Sequence, residues 1–330
     1  MKSLKISDTV QKKFERMRKT INLQKPDRMP TTNDWEFIEY RKEEYHLGEP
    51  ELPVPEGKVV VSTDGKKKYT SDGGVWTVGD KEAYKDFNDV LKVNLEKFEI
   101  ETVGQTMRYE MARLYNEKAK THFPVPLHYG TLFTRATIEF GWEPFLMALA
   151  MDPKTFGKIL DRFGQASLAV IQGWAQTDDI ELICVHDDIA GTRGILVNPA
   201  WYREYVFPWH KRLFAAIHEK GRKVLYISDG NYTEVLDAIL ETKPDGLYIE
   251  STSIDPEQLM RNAGRDKLYL LKSDTRNIDF GTPKDIYNEI KKLRKLHEEF
   301  PGIIMYRGGN RKEENVQAFE RYYKEMLVYE

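Results

Sequence analysis

The chain has 330 residues, 40% hydrophobic and 31% charged, enough apolar material for a packed core, and its formal net charge of -3 implies no general attraction to nucleic acid. A single cysteine, Cys184, excludes an internal disulfide and a cysteine-rich zinc site. No apolar stretch approaches the roughly 20 residues needed to span a bilayer, and the N-terminus lacks a signal-peptide core, so a soluble cytoplasmic protein with no membrane partner is expected.

In chain order, residues 7–23 read as a polar surface helix. The run Asp27-Arg28-Met29-Pro30-Thr31-Thr32 opens a first strand and leaves Asp34, Trp35 and Glu36 just past its end. After a Pro- and Gly-rich stretch, 48–57, come two β-rich runs, Val59–Ser62 and Lys68–Thr70. They are joined at Asp64-Gly65, a strong hairpin signal, with Lys66-Lys67-Lys68 as a solvated turn. A further turn at Ser71–Gly74 leads to Val75–Val78, so residues 40–80 read as an antiparallel hairpin insertion. Its Trp76 suits a core position better than a substrate-facing one.

Residues 100–119 carry Ile100, Val103, Met107, Met111 and Leu114 at helical spacing. Phe123–His128 is the next strand, with two prolines that predict irregular pairing. Residues 131–149 read as helix, and Asp152-Pro153 caps another helix running to about Gln176. From there strands and helices alternate. The strands are Ile183–His186, Val224–Ile227, Gly246–Ile249, Leu268–Leu271 and Ile303–Tyr306. The helices are 199–220, 232–242, 255–263, 283–300 and 314–327. Seven strands are evident and an eighth is not. The expected fold is α/β: a single distorted (β/α)8 TIM barrel over residues 1–330, with the hairpin insertion at its N-terminal side.

In such a barrel the side chains beyond the strand ends converge on one pocket. That gathers His128, His186, Asp187, Asp188, Tyr226, Ser228, Asp229, Glu250, Lys272, Asp274, Arg276 and Arg307, a mixture suited to holding a small anion with proton transfer nearby. Adjacent Asp187 and Asp188 point to opposite sides of an extended chain. One is expected to face the pocket while the other caps a helix or pairs with Arg193. His186 is placed to act near neutral pH, or is a satisfied core histidine. Tyr226 is either core or a proton donor. Arg307, beside Gly308 and Gly309, is either a carboxylate clamp or an ion-pair partner of Glu313 or Glu314. Phosphate-loop and nucleophile-elbow fingerprints are absent.

Several of these elements, taken in order, resemble the uroporphyrinogen decarboxylase superfamily, which also contains cobalamin-dependent methyltransferases. They are Asp187-Asp188 followed by Gly194, Pro199, Tyr202 and Pro208; Asp229-Gly230-Asn231; Asp274 and Arg276 before Phe280-Gly281-Thr282-Pro283; and Glu314-Asn315-Val316-Gln317-Ala318. True decarboxylases of that superfamily carry an Arg-rich stretch after the first strand, where this chain has Thr31-Thr32-Asn33-Asp34-Trp35-Glu36. The thiol-methylating branch binds zinc through a His-x-Cys pair and a later Cys, where this chain has Tyr226-Ile227-Ser228 and Arg307-Gly308-Gly309.

The resemblance therefore implies the remaining branch, which moves a methyl group from a methoxylated aromatic to the Co(I) of a corrinoid protein. Its cobamide is carried by that partner, and a homodimer is compatible with the reading. On this reading His186, Asp187, Asp188, Tyr226 and Asp229 are catalytic. Trp35, His128, Tyr129, Glu250, Lys272, Asp274, Arg276 and Arg307 hold the substrate, with Phe133 as a further stacking ring, and no metal ligand is assigned. A zinc spacing reported for some demethylases is met by Asp86, Glu101 and His122. If 101–119 is one helix, however, the last two lie about 30 Å apart. The alternatives are a decarboxylase acting on a small carboxylated substrate and a non-catalytic binder of small anions.

Overall fold

The computed structural model describes residues 7–40, 60–61, 67–71, 74–77, 84, 86–93, 95 and 103–328, with only the backbone described at 39–40, 60–61, 67–71, 74–77 and 103–107. Its strands are β1 Trp35–Tyr40, β2 Val60–Val61, β3 Lys67–Ser71, β4 Gly74–Thr77, β5 Phe123–His128, β6 Leu182–His186, β7 Ala190–Gly191, β8 Gly194–Ile195, β9 Lys223–Ile227, β10 Gly246–Glu250, β11 Leu268–Lys272 and β12 Ile303–Tyr306. Its helices are α1 Asp8–Ile21, α2 Phe87–Leu91, α3 Val103–Lys118, α4 Phe133–Phe140, α5 Trp142–Met151, α6 Pro153–Ala175, α7 Pro199–Trp201, α8 Phe207–His218, α9 Leu236–Glu241, α10 Pro256–Ala263, α11 Thr275–Asp279, α12 Pro283–Glu299 and α13 Glu313–Met326. None of the described helices is long and apolar enough to cross a membrane.

Seven parallel strands form one curled sheet in the order β1-β5-β6-β9-β10-β11-β12, a TIM-like α/β arrangement. Its two edges meet where the Met305 N–H of β12 donates to the Pro30 carbonyl at 2.8 Å. The eighth strand missing from the sequence pattern is thus replaced by an irregular segment before β1. The first strand is also displaced from its expected position. It begins at Trp35, where the sequence suggested that a strand had ended, and 28–30 supplies only the closing contact.

The prolines of β5 have a visible consequence. The Phe123 N–H donates toward β1, to the Asp34 carbonyl at 2.9 Å, so the even-numbered positions face β6. Pro124 and Pro126 have no N–H to offer there. The β1–β5 ladder accordingly spans six residue pairs, while β5–β6 spans two.

Helix α1 is not the polar surface helix that its composition suggests. Val10, Phe14, Met17 and Ile21 make a buried stripe beneath the sheet. The Phe14 ring meets Phe123 at 5.1 Å, and Lys223 Nζ donates to the Ile21 carbonyl at 2.8 Å. The 131–149 helix is split into α4 and α5 at Gly141, whose φ of +78° breaks the helical run. Helix α6 starts on the expected Asp152 cap, which accepts from Thr155 N. Strands β2, β3 and β4 pair antiparallel in the 40–80 region, but the Asp64-Gly65 turn and the Trp76 side chain lie outside the described residues.

Ahead of β1, Asp34 is fully buried between Arg16 and Arg28, and its second oxygen accepts the Thr31 N–H at 3.0 Å. This carboxylate ties α1 to the closing segment. Removing one member of a buried, hydrogen-bonded charge cluster strands the others. Asp34→Ala is expected to destabilise the fold by about 3–5 kcal/mol, read from the denaturant midpoint.

Candidate active site

Strand register decides which side chains meet. Cys184 pairs with Leu127 and Leu225, Leu225 with Gly246, and Gly246 with Leu268. Because side chains alternate along a strand, His186, Ile227, Tyr248, Glu250, Lys272 and Tyr306 share the inner face. His128 and Tyr226 fall on the outer face, against the helices. His128 packs on Trp174 of α6 at 5.7 Å between ring centroids, and Tyr226 on His210 of α8 at 5.1 Å.

The extended chain continues past β6, so Asp187 and Asp188 diverge. Asp187 turns outward and is fully buried. Its carboxylate accepts from Thr134 N at 2.8 Å and Leu132 N at 3.4 Å, and pairs with His210 Nε2 at 3.0 Å. Leu132, at the N-cap of α4, makes no side-chain cap, so Asp187 satisfies that helix start from outside. Asp188 turns inward: its Oδ1 sits 3.1 Å from His186 Nε2 and accepts the Asp229 N–H at 2.7 Å. One of the two aspartates thus caps a helix, as the alternation requires, and the partner is α4 rather than Arg193.

The inner cluster then assembles strand by strand. His186 stacks on Tyr129, with centroids 4.2 Å apart and planes 14° from parallel. Lys272 Nζ reaches Glu250 Oε1 at 3.1 Å, while Glu250 Oε2 accepts from Ser253 Oγ at 3.1 Å and Gly230 N at 3.2 Å. Burial, and then the neighbouring Asp229 and Glu250, hold the Tyr248 phenol well above its ordinary value. Gly230 has φ of +77°, and a Cβ there would stand 2.5 Å from the Ala190 carbonyl oxygen. Only glycine lets the loop carrying Asp229 lie against β7. A cavity of about 640 Å³ opens between β1 and α3, with Trp35, Phe37, Glu110, Arg113 and Lys118 in its wall; of the inner-face residues named above, Tyr306 is the one that lines it.

Charge is distributed unevenly. Burial, reinforced by Asp188 and Glu250, pushes the Asp229 carboxyl up to about 6. For His186, burial alone would lower the imidazole, but Asp188 and then Asp229 outweigh it and hold it above its ordinary value. Asp188 shows the converse: burial opposes ionisation, yet His186 keeps it below the usual carboxylate range. Lys272 is raised, because Asp229 and Glu250 overcome its burial.

Other expected site residues lie elsewhere. Tyr226 is sealed in the outer layer, and its hydroxyl donates to the Asp187 carbonyl at 3.0 Å. Burial holds its pKa well above the ordinary value, so it is no proton donor to an inner pocket. His128 is buried outward, and desolvation drops it to about 3. Asp274 and Arg276 pair with each other at 2.7 Å, and Asp274 caps α11. Arg307 donates to the Gly309 carbonyl at 2.9 Å and approaches Glu320 of α13 at 3.7 Å, not Glu313 or Glu314. Trp35 is buried and inward, but its ring packs on Phe37 and Tyr306. Phe133 is core, against Phe145. Ser228 accepts the Ile189 N–H and steadies the loop. Tyr129 does reach the cluster, through His186. Tyr248 and Tyr306 were missed, although the two-residue spacing from Tyr248 to Glu250 carried the signal. Of the candidate zinc ligands, Glu101 lies outside the described residues, and His122 lies beyond the end of α3.

The family model described as "Uroporphyrinogen decarboxylase (URO-D)" matches residues 80–310. The chain belongs to the uroporphyrinogen decarboxylase family. The match contains every residue of the inner cluster. Among solved structures, a "methyltransferase from Methanosarcina mazei" is similar at 15% identity, covering 82% of this chain and 75% of that one with a TM-score of 0.54, which shows a shared fold. A D-psicose 3-epimerase solved in the presence of D-fructose aligns at 10% identity over 67% of this chain and 82% of that one, with a TM-score of only 0.35. No curated protein matches the sequence significantly. In this member of the family, the 31–36 segment offers the cluster no arginine and spends its one fully buried charge, Asp34, on α1.

Because the folded protein holds the Asp229 proton to a higher pH than the unfolded chain does, Asp229 costs stability as pH rises from 3.8 to about 6. Asp229→Asn is expected to raise the melting temperature at about pH 8 and leave it unchanged near about pH 4, in paired thermal melts.

Proposed function

We propose that this protein transfers a methyl group from an aryl methyl ether to the Co(I) of a corrinoid carried by a partner protein. The observation that supports this most is a proton source on the inner face of the sheet. Asp229, held protonated to about 6, stands beside the His186–Asp188 pair. A phenolate is a poor leaving group, and a general acid at its oxygen is worth about 10²–10⁴-fold in rate. The cobalt of the partner supplies the nucleophile for the methyl carbon. As the O–CH3 bond breaks, its electron pair stays on the phenolic oxygen, which takes a proton from His186 or Asp229. Tyr129, Tyr248 and Tyr306 give the site an aromatic wall for the ring. The likeness in fold to a methyltransferase is consistent with this reading.

A decarboxylase or an anion binder would want a cation free to hold a carboxylate. Here His186 is engaged by Asp188 and Lys272 by Glu250, so both readings are weaker.

The test is a panel of methoxylated arenes incubated with the protein and cob(I)alamin, followed by loss of the Co(I) absorbance. No loss across the panel, with Co(I) verified, would sink the proposal, and carbon dioxide release would move it to the decarboxylase. With an active substrate, Asp229→Asn and His186→Ala should each lower kcat by about 10²–10⁴-fold. The wild-type rate should fall as pH rises through about 6, because the acid is then lost.

A further inference from the structure

The inner cluster contains two buried polar atoms with no hydrogen-bond partner among the described residues: Asp188 Oδ2 and His186 Nδ1. Both residues are more than nine-tenths buried, at 8% and 4% exposure. A buried carboxylate oxygen left unpaired costs free energy, so such an atom in a well-made site marks a place for a ligand group. Asp188 is held in place by its other oxygen, which bonds His186 Nε2 and Asp229 N, so Oδ2 is fixed among the inward side chains. The second observation is the charge of its surroundings. Asp188, Asp229 and Glu250 face two cations: His186 is engaged by Asp188 through Nε2 alone, with Nδ1 left open, and Lys272 is engaged by Glu250. Arg276 and Arg307, the groups that could have clamped an anion, are held by Asp274 and by Gly309 and Glu320.

We infer that this site selects a methoxylated ring carrying a hydrogen-bond donor, a hydroxyl or an ammonium, received by Asp188 Oδ2, and that it discriminates against ring carboxylates. This rests on the aryl methyl ether reading of the site and narrows it. A donor fills the vacant carboxylate oxygen, whereas an anionic ring sets its charge against the ionised Asp188 and Glu250, which already occupy His186 Nε2 and Lys272.

Calorimetric binding to the full chain, without corrinoid, tests this with four methoxyarenes: a methoxyphenol, a methoxybenzylamine, a dimethoxybenzene and a methoxybenzoate. At least one of the two donor-bearing ligands should bind about 10- to 100-fold more tightly than the dimethoxybenzene, with the methoxybenzoate weakest. The tighter of the two identifies the donor as hydroxyl or ammonium. In Asp188→Asn the donor advantage should shrink to within about threefold. If that variant does not fold, the wild-type panel decides by itself. Methoxybenzoate binding as tightly as the best donor ligand, or dimethoxybenzene matching it, overturns the inference. Tight donor binding without methyl transfer would instead overturn the methyltransferase reading and leave this selectivity standing.

Discussion

The alternation of side chains along the extended His186-Asp187-Asp188 segment is the constraint on which the site depends. Because consecutive residues point to opposite faces, Asp187 is driven into the helix layer, where it caps α4 and holds His210. The same geometry delivers Asp188 to the interior beside His186. Thr134 ties the two halves together, giving its N–H to the Asp187 carboxylate and accepting the Asp188 N–H on its hydroxyl at 2.6 Å. One aspartate therefore fixes the scaffold that aims the other.

The cluster also separates acids by environment. Asp188 has an imidazole against it and stays ionised. Asp229, largely buried and facing Asp188 and Glu250, keeps its proton to about 6. Carboxyls that would be equivalent in water become a fixed charge and a proton store, the division of labour that acid–base chemistry needs. The close approach that permits it comes from Gly230, whose left-handed backbone lets the Asp229 loop rest on β7.

Much of the architecture was legible in the sequence because its signals are local. The strands β5, β6, β9, β10, β11 and β12 coincide with apolar runs, and α6, α10, α12 and α13 begin within a residue of their expected starts. The prolines of β5 announced a thinned ladder, and the ladder to β6 is thin. The first strand was misplaced because Met29 and Pro30 do take part in the sheet, but only as its closure. Helix α1 looked polar because Lys and Arg dominate its exposed side, and only packing beneath the sheet reveals the stripe from Val10 to Ile21.

By itself the sequence determined the α/β alternation and the set of polar residues ending the strands, since each follows from local periodicity, while the order of its motifs carried the resemblance to the family. It also required that Asp187 and Asp188 part company. Only the tertiary structure decided which face each strand presents to the interior. That choice depends on register between strands far apart in sequence, and a shift of one residue exchanges the faces. Hence Tyr226 and His128, plausible by position, lie outside the cluster, while Tyr248 and Tyr306 lie within it.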